Sequence, residues 1–260
     1  KMKKINLAVV GATGNVGRMI LKVLEEKDFP IENLYLFSSK KSAGSEIDFK
    51  GKKYVVEELT EDVFDRDIDI ATFSAGGTTS EKFAPIAASK GITVVDNSSH
   101  FRMEKDIPLV VPEVNGKEAL NNSGIIANPN CSTIQSVLPL KPLYDKYGIK
   151  RVIYNTYQAV SGSGMKAIED LANKTCKVYP YPIAYNCLPH IDVFLENGYT
   201  KEEMKMIEET RKILDDDSLK VTATTVRVPI KNSHAVSINV ELEKDFDIEE
   251  IRKDFESFPG

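Results

Sequence analysis

A chain of 260 residues, 42% hydrophobic and 28% charged, has room for one large domain or two medium ones and is neither disordered nor fibrous in composition. Its net charge of -5 gives non-specific nucleic-acid binding no footing. No apolar run is long enough to span a bilayer and no signal-peptide pattern opens the sequence, so no nucleic-acid or membrane partner is expected.

In chain order, Ile5-Asn6-Leu7-Ala8-Val9-Val10 is a short apolar run that ends on Gly11 and reads as a buried parallel strand. Val16, Ile20, Leu21 and Leu24 recur at helical spacing, so a helix begins near Gly14. Residues 33–37 and 69–74 read as strands, 80–90 as a helix and 92–95 as a further strand, and Ile125-Ile126-Ala127 leads up to Cys131. Strands alternating with helices imply a parallel sheet with helices on both faces.

The pattern changes after Cys131. A helix with Ile134, Val137, Leu138 and Leu143 on its apolar face runs toward Gly148, and Pro139 and Pro142 are expected to kink or shorten it. Segments rich in β-formers follow at 151–160, 220–230 and 233–242. The last two alternate in strand fashion, and Lys231-Asn232 predicts a tight hairpin between them. Residues 202–214 read as a charged surface helix. The expected fold is α/β, a Rossmann-type parallel-sheet nucleotide domain over 1–130 followed by an α+β domain over 131–260.

Gly11-Ala12-Thr13-Gly14-Asn15-Val16-Gly17 follows a strand and opens a helix, the context in which such glycines cradle a pyrophosphate. The spacing G-x-x-G-x-x-G is a variant of the commoner fingerprint, and an ordinary strand-to-helix turn is the alternative. About twenty residues on, an NAD site would offer a carboxylate to the ribose hydroxyls. Ser38-Ser39-Lys40-Lys41-Ser42 stands there instead. Hydroxyl and ammonium groups suit a 2′-phosphate, so NADP is favoured over NAD, with Ser39, Lys41 and Ser42 as candidates; a solvated basic turn is the competing explanation.

Cys131 sits in Asn128-Pro129-Asn130-Cys131-Ser132-Thr133, after a strand and at the start of a helix, where the helix dipole favours a thiolate. A thiol whose base comes from far along the chain suits covalent catalysis on an acyl group, and the dinucleotide motif suggests hydride as the second reagent. Arg227 and His234 fall on the two arms of the expected hairpin. Arginine can clamp a carboxylate in two parallel bonds, and histidine can exchange a proton near neutral pH. Cys176 and Cys187 read as inert core cysteines, and His100 and His190 have no comparable company. Three cysteines, odd in number and irregular in spacing, resemble neither a disulfide framework nor a zinc site; reduced thiols in a cytoplasmic protein, with no metal, are expected.

The segments GATGNVG at 11–17, FSSKKSAG at 37–44, SAGG at 74–77, VVDNSSHFRM at 94–103, VPEVN at 111–115, NPNCSTIQ at 128–135, YQAVSGSG at 157–164 and VRVPIKNSHA at 226–235 occur in this order along the chain. The sequence in which they stand resembles the aspartate-semialdehyde dehydrogenases of the bacterial type. The resemblance implies that Cys131 is the nucleophile, that His234 is the acid/base and that Gln158 orients the acyl intermediate. It implies that Arg227 holds the substrate α-carboxylate and Glu202 its amino end, with Ser99, Arg102, Asn130 and Lys205 around the phosphate. Ser74, Ala75, Gly76, Ser161 and Gly162 join the cofactor set. The implied reaction reduces L-4-aspartyl phosphate to L-aspartate 4-semialdehyde with release of phosphate, using NADPH, on the way to lysine, threonine and methionine. The implied assembly is a homodimer or homotetramer built through the second, catalytic and dimerisation domain.

The chain departs from that family in two places. It stops at Ser257-Phe258-Pro259-Gly260, where the family continues, and residues 168–179 are shorter than the family's helix and loop there. Both read as parts of a longer protein that this chain does not include, with a truncated and internally deleted chain as the alternative. Lys1-Met2 suggests a residue added ahead of the natural start. Within the same mechanistic group, an N-acetyl-glutamyl-phosphate reductase or a glyceraldehyde-type phosphorylating dehydrogenase competes with this reading, and the Arg227 clamp for an α-carboxylate argues against the latter. A non-catalytic NADP-binding or dimerisation module is the alternative of another class.

Overall fold

Five consecutive buried residues, Asn6 to Val10, follow Ile5 in Ile5–Val10 (β1), a pattern that fits a strand covered on both faces. In the computed structural model, which describes residues 3–260, this strand is the middle of a seven-stranded sheet; the reading of Lys1-Met2 lies outside the described residues. Asn15–Glu26 (α1) follows the glycine turn, then Ile31–Ser38 (β2), parallel to β1. Glu46–Phe49 (β3) and Lys52–Glu58 (β4) form a hairpin that the sequence reading left out. Its two-residue turn has positive φ at both Lys50 and Gly51, as the twist of a tight hairpin demands. Ile70–Phe73 (β5), Gly77–Ser89 (α2), Thr93–Asp96 (β6) and Ile125–Ala127 (β7) complete this part.

The sheet order is β3-β4-β2-β1-β5-β6-β7, parallel except for β3. The chain therefore runs outward from β1 on one side and returns to β5 on the other. In such sheets the crevice beyond the carboxyl ends of the strands, where the order reverses, is the place a ligand can enter.

Two compact units divide the chain: residues 1–110 with 117–129, and residues 111–116 with 130–260. The second begins with the short helix Pro112–Asn115 (α3), then Cys131–Tyr147 (α4), Ile149–Gln158 (β8), Met165–Asn173 (α5), Lys201–Leu214 (α6), Lys220–Arg227 (β9), His234–Leu242 (β10) and Ile248–Ser257 (α7). α4 runs its full 17 residues through Pro139 and Pro142, so neither proline shortens it. Val137, Leu140, Leu143 and Tyr147 on its buried face hold the helix together where two backbone hydrogen bonds are missing.

The expected hairpin does not form. The three-stranded sheet has the order β10-β8-β9, with β8 antiparallel to β10 and parallel to β9. The link after Arg227 passes over the end of β8 instead. There the Val228 N–H donates to the Gln158 carbonyl, and the Val160 and Ser161 N–H groups donate to Ile230 and Lys231.

Alternation along β8 buries Val152, Tyr154, Thr156 and Gln158 on one face. The register places Ala223, Thr225 and Arg227 of β9 beside the last three of these, and Ile238, Val236 and His234 of β10 on the other side. This face changes from aliphatic to polar along its length, and its polar end is the row His234, Gln158, Arg227.

α6 packs against β9 and α4. It starts with a capping box in which Thr200 Oγ1 accepts from the Glu203 N–H and Glu203 Oε2 accepts from the Thr200 N–H. It is no surface helix: Glu202, Met206, Ile207, Glu209, Thr210, Ile213 and Leu214 are all buried. Cys176 and Cys187, expected in the core, are exposed. Among the described residues no helix is long and apolar enough to cross a membrane.

Candidate active site

In the first unit, one cleft of about 480 Å³ is lined by Val10, Gly11, Thr13, Gly14, Ser38, Ser39, Leu59, Ser74, Ala75, Thr79 and Phe83. It lies at the carboxyl ends of β1, β2 and β5, where the strand order reverses. Gly11 is required there: its φ is +86°, and a Cβ would sit 2.8 Å from the carbonyl carbon and oxygen of Ser74. At Gly17 a Cβ would collide with the Gly11 carbonyl oxygen, so α1 can approach the turn only with glycine at that position. Gly14 caps α1 without a side-chain hydrogen bond, and the first turn holds no acidic residue. Its backbone N–H groups are thus left for an anion.

Of the residues expected to bind the cofactor, Gly11, Thr13, Gly14, Ser39, Ser74 and Ala75 share this cleft. Asn15 stands in the first turn of α1, while Val16 lines a separate hollow with Ile20, Thr72, Phe73, Val95, Asn97 and Asn128. Lys41 is exposed, Ser42 donates its N–H to the Ser39 carbonyl, and Gly76 caps α2. The sequence reading did not assign Val10, Ser38, Leu59, Thr79 or Phe83 to the cofactor. Leu59 follows a strand it had not identified.

In the second unit, Cys131 is the first residue of α4 and is exposed. Asn130 caps this helix, its Oδ1 accepting from the N–H groups of Ser132 and Thr133 at 2.8 and 3.2 Å. Asn130 Nδ2 donates to Glu202 Oε1 at 2.9 Å, and Gln158 Nε2 donates to the same oxygen at 3.2 Å. Lys205 Nζ lies 3.1 Å from Glu202 Oε2 and 3.0 Å from Asp192 Oδ2. Both ends of the Asn130 amide thus have partners inside the chain, and of the two N–H groups on Nδ2 one is directed at Glu202.

Arg227 and His234 converge across Gln158. An ideal Cβ on Gly162 would lie 3.4 Å from Arg227 Nη1 and 3.6 Å from His234 Nε2. The absence of a side chain at Gly162 leaves this space open between a guanidinium and an imidazole. Arg227 is 6% exposed; its Nη1 donates to the Ala159 carbonyl at 2.7 Å, and its Nε has no partner among the described residues. The His234 Nδ1 accepts from the Ala159 N–H at 2.9 Å. Gly162 therefore belongs to the Arg227 and His234 neighbourhood, while Ser161 donates its N–H to the Lys231 carbonyl. Ser99 and Arg102 lie in the first unit, where Ser99 is exposed and Arg102 is buried on the carbonyls of Asn128 and Asn97.

Residues 6–123 match the family described as semialdehyde dehydrogenase, NAD binding domain, and residues 140–260 match its dimerisation domain. The chain is 54% identical to the aspartate-semialdehyde dehydrogenase of Aquifex aeolicus over 267 residues, covering 98% of this chain and 78% of that relative.

The chain belongs to the aspartate-semialdehyde dehydrogenase family.

Among solved aspartate-semialdehyde dehydrogenases, enzyme II of Vibrio cholerae, complexed with ASA, superposes with a TM-score of 0.94 at 44% identity, covering all of this chain and 80% of that one. The enzyme of Candida albicans with NADP gives 0.76 at 26% identity, covering 97% and 76%. An oxidoreductase with a Rossmann-like parallel-sheet nucleotide unit and a dimerisation domain is what these matches establish, with a nicotinamide nucleotide as cofactor.

Electrostatics in the second unit have definite signs. Burial pushes the Glu202 carboxyl upward, but the Lys205 ammonium and the hydrogen bonds from Asn130, Lys205 and Gln158 outweigh it and leave Glu202 below the ordinary range. Lys205 is held above its ordinary range because Glu202 and Asp192 outweigh its burial. Burial first, and then the Arg227 charge, lower His234 below its ordinary value of 6.5, against opposing contributions from the Ser233 backbone and Glu202. Its neutral form, with Nδ1 accepting from Ala159, carries its hydrogen on Nε2.

His234 in the folded protein should thus titrate below 6.5, and the unfolded chain binds the extra proton in the window between. Stability from this group is lost as pH falls through that window. An NMR titration of the His234 ring checks this; a midpoint above 6.5 would contradict the assigned environment.

Proposed function

We propose that the chain makes L-aspartate 4-semialdehyde from L-4-aspartyl phosphate through a thioester on Cys131, in the cytoplasm, on the way from aspartate to lysine, threonine and methionine. The carrying observation is the open space beside Gly162, bounded by Arg227 Nη1 and His234 Nε2 at the polar end of the β10-β8-β9 face. A carboxylate on Arg227 and a reacting carbonyl oxygen on His234 are the two substrate features such a space fits.

In the first step the Cys131 thiolate adds to the acyl carbon, the carbon–oxygen bond to phosphate breaks, and phosphate leaves with that electron pair. When bound in the cleft of the first unit, the reduced nucleotide supplies the hydride that takes the thioester to the aldehyde level. The Nε2–H of neutral His234 donates a hydrogen bond to the tetrahedral oxyanion. Collapse of that oxyanion gives the aldehyde and returns the thiolate, so the reduction consumes no proton at the sulfur. Glu202 holds Gln158 and Asn130 in place, and its remaining negative charge suits the substrate ammonium. Lys205, with a third N–H beyond its two carboxylate partners, suits phosphate. Ser99 and Arg102, in the first unit, are assigned to phosphate by the family resemblance.

NADP is proposed over NAD because no carboxylate lines the cleft at Ser38 and Ser39, and Thr13 Oγ1 and Ser38 Oγ lie 2.8 Å apart at its edge. The relative from Candida albicans with NADP supports the same choice. Assembly as a homodimer or homotetramer through the second unit is supported by the match of residues 140–260 to a dimerisation domain.

Gly162→Ala tests the carrying observation. Gly162 has no positive φ, so alanine fits its backbone, and the added methyl enters the space between the two donors. The KM for L-aspartate 4-semialdehyde should rise about tenfold, the size of effect that one misplaced carbon brings in a closely fitted site. An unchanged KM would move the substrate elsewhere.

A further inference from the structure

Glu209 is a buried titratable group that the reaction above leaves unused. It lies on α6 seven residues after Glu202, on the same helix face, and is 1% exposed. Its Oε2 accepts the backbone N–H of Asn130 at 2.6 Å. The residue directly before Cys131 is thus gripped at its backbone by one glutamate of α6 and at its side chain by the other.

A carboxylate in the core is costly to bury, and an apolar side chain of similar volume generally serves packing as well or better. The capping of α4 is already supplied by Asn130 Oδ1. The Asn130 N–H precedes the helix and contributes nothing to its hydrogen-bond ladder. What the Glu209 bond does fix is where the chain enters α4, and therefore where the first residue of that helix projects its side chain.

We infer that Glu209 is a positioning residue for the acyl-transfer step: it fixes the backbone at Asn130 and, through it, the sulfur of Cys131, without touching the substrate. The assignment rests on Cys131 being the nucleophile proposed above. Position matters here because a displacement of about 1 Å at a reacting atom can cost up to roughly 10²-fold in rate.

Two variants separate position from charge. Glu209→Gln keeps an acceptor oxygen at the same reach and removes the charge. Glu209→Asp keeps the charge and withdraws the carboxylate by one methylene, away from the Asn130 N–H. With kcat normalised to folded protein, the Asp variant should lose about tenfold or more while its KM for L-aspartate 4-semialdehyde stays within about threefold, and the Gln variant should stay within about threefold of the unsubstituted enzyme in kcat. Should the Asp variant not fold, Glu209→Met, uncharged and of similar size, should show the same loss. The reverse order of the Gln and Asp variants, or unimpaired kcat in all of them, would overturn the assignment. Detecting an aspartyl adduct on Cys131 of the unsubstituted enzyme separates the two claims. With the adduct present and the Asp variant unimpaired, only the role of Glu209 falls; with no adduct, the acyl-enzyme reading falls and takes Glu209 with it.

Discussion

Replacing Cys131 by serine should reduce turnover of L-aspartate 4-semialdehyde by about 10³-fold or more while leaving NADP binding nearly unchanged. The two effects separate because the residues involved lie in different units. The nucleotide cleft is built from β1, β2 and β5 and the turns that follow them, all in the first unit. Cys131 stands on the first turn of α4 in the second. Serine preserves the volume and the Asn130 cap, so neither α4 nor its packing should change. A hydroxyl is a far weaker nucleophile than a thiolate near neutral pH, and the helix start that favours a thiolate at position 131 does not ionise an alcohol. Initial rates together with NADP titration by fluorescence check the prediction, and a Ser variant that kept most of its rate would end the covalent scheme.

Arg227→Lys should raise the KM for L-aspartate 4-semialdehyde by about 10²-fold, with a smaller change in kcat. Arg227 reaches the space beside Gly162 with Nη1, which also donates to the Ala159 carbonyl. Lysine keeps the charge but not the planar fork, so it cannot hold that carbonyl and a carboxylate in the same geometry. The guanidinium also stands 5.8 Å from the centre of the Tyr179 ring, a contact that an ammonium on a flexible stem makes less well. Steady-state kinetics decides it: an unchanged KM would show that the α-carboxylate binds elsewhere.

The parts of the fold that depend on local pattern were readable from the residues. β1 and its glycine turn combine an apolar run with glycines spaced for close approach, and both features are local. The row His234, Gln158, Arg227 was not readable in the same way. Period-two alternation identifies β9 and β10 as strands but does not say which strand lies between them, and a two-residue link suggested direct pairing. β8, more than sixty residues earlier, occupies that place and brings Gln158 between the two charged side chains.

α6 shows a different failure. Its many charges suggested a solvated helix, but positions 202, 206, 209 and 213, spaced four, three and four apart, mark a single face. Two glutamates on that face are buried because Asn130 and Gln158 supply their hydrogen bonds, and those partners come from distant segments. The exposure of Cys176 and Cys187 likewise depends on the path of the chain after α5, which no local pattern announces.

The central claim is that the substrate becomes bonded to one sulfur. Acid-quenched protein, incubated with L-aspartate 4-semialdehyde and NADP in the absence of phosphate, should carry one aspartyl group that peptide mass spectrometry maps to Cys131, with one NADPH formed for each group attached. NADPH formed with no adduct, or an adduct on any other residue, would contradict it.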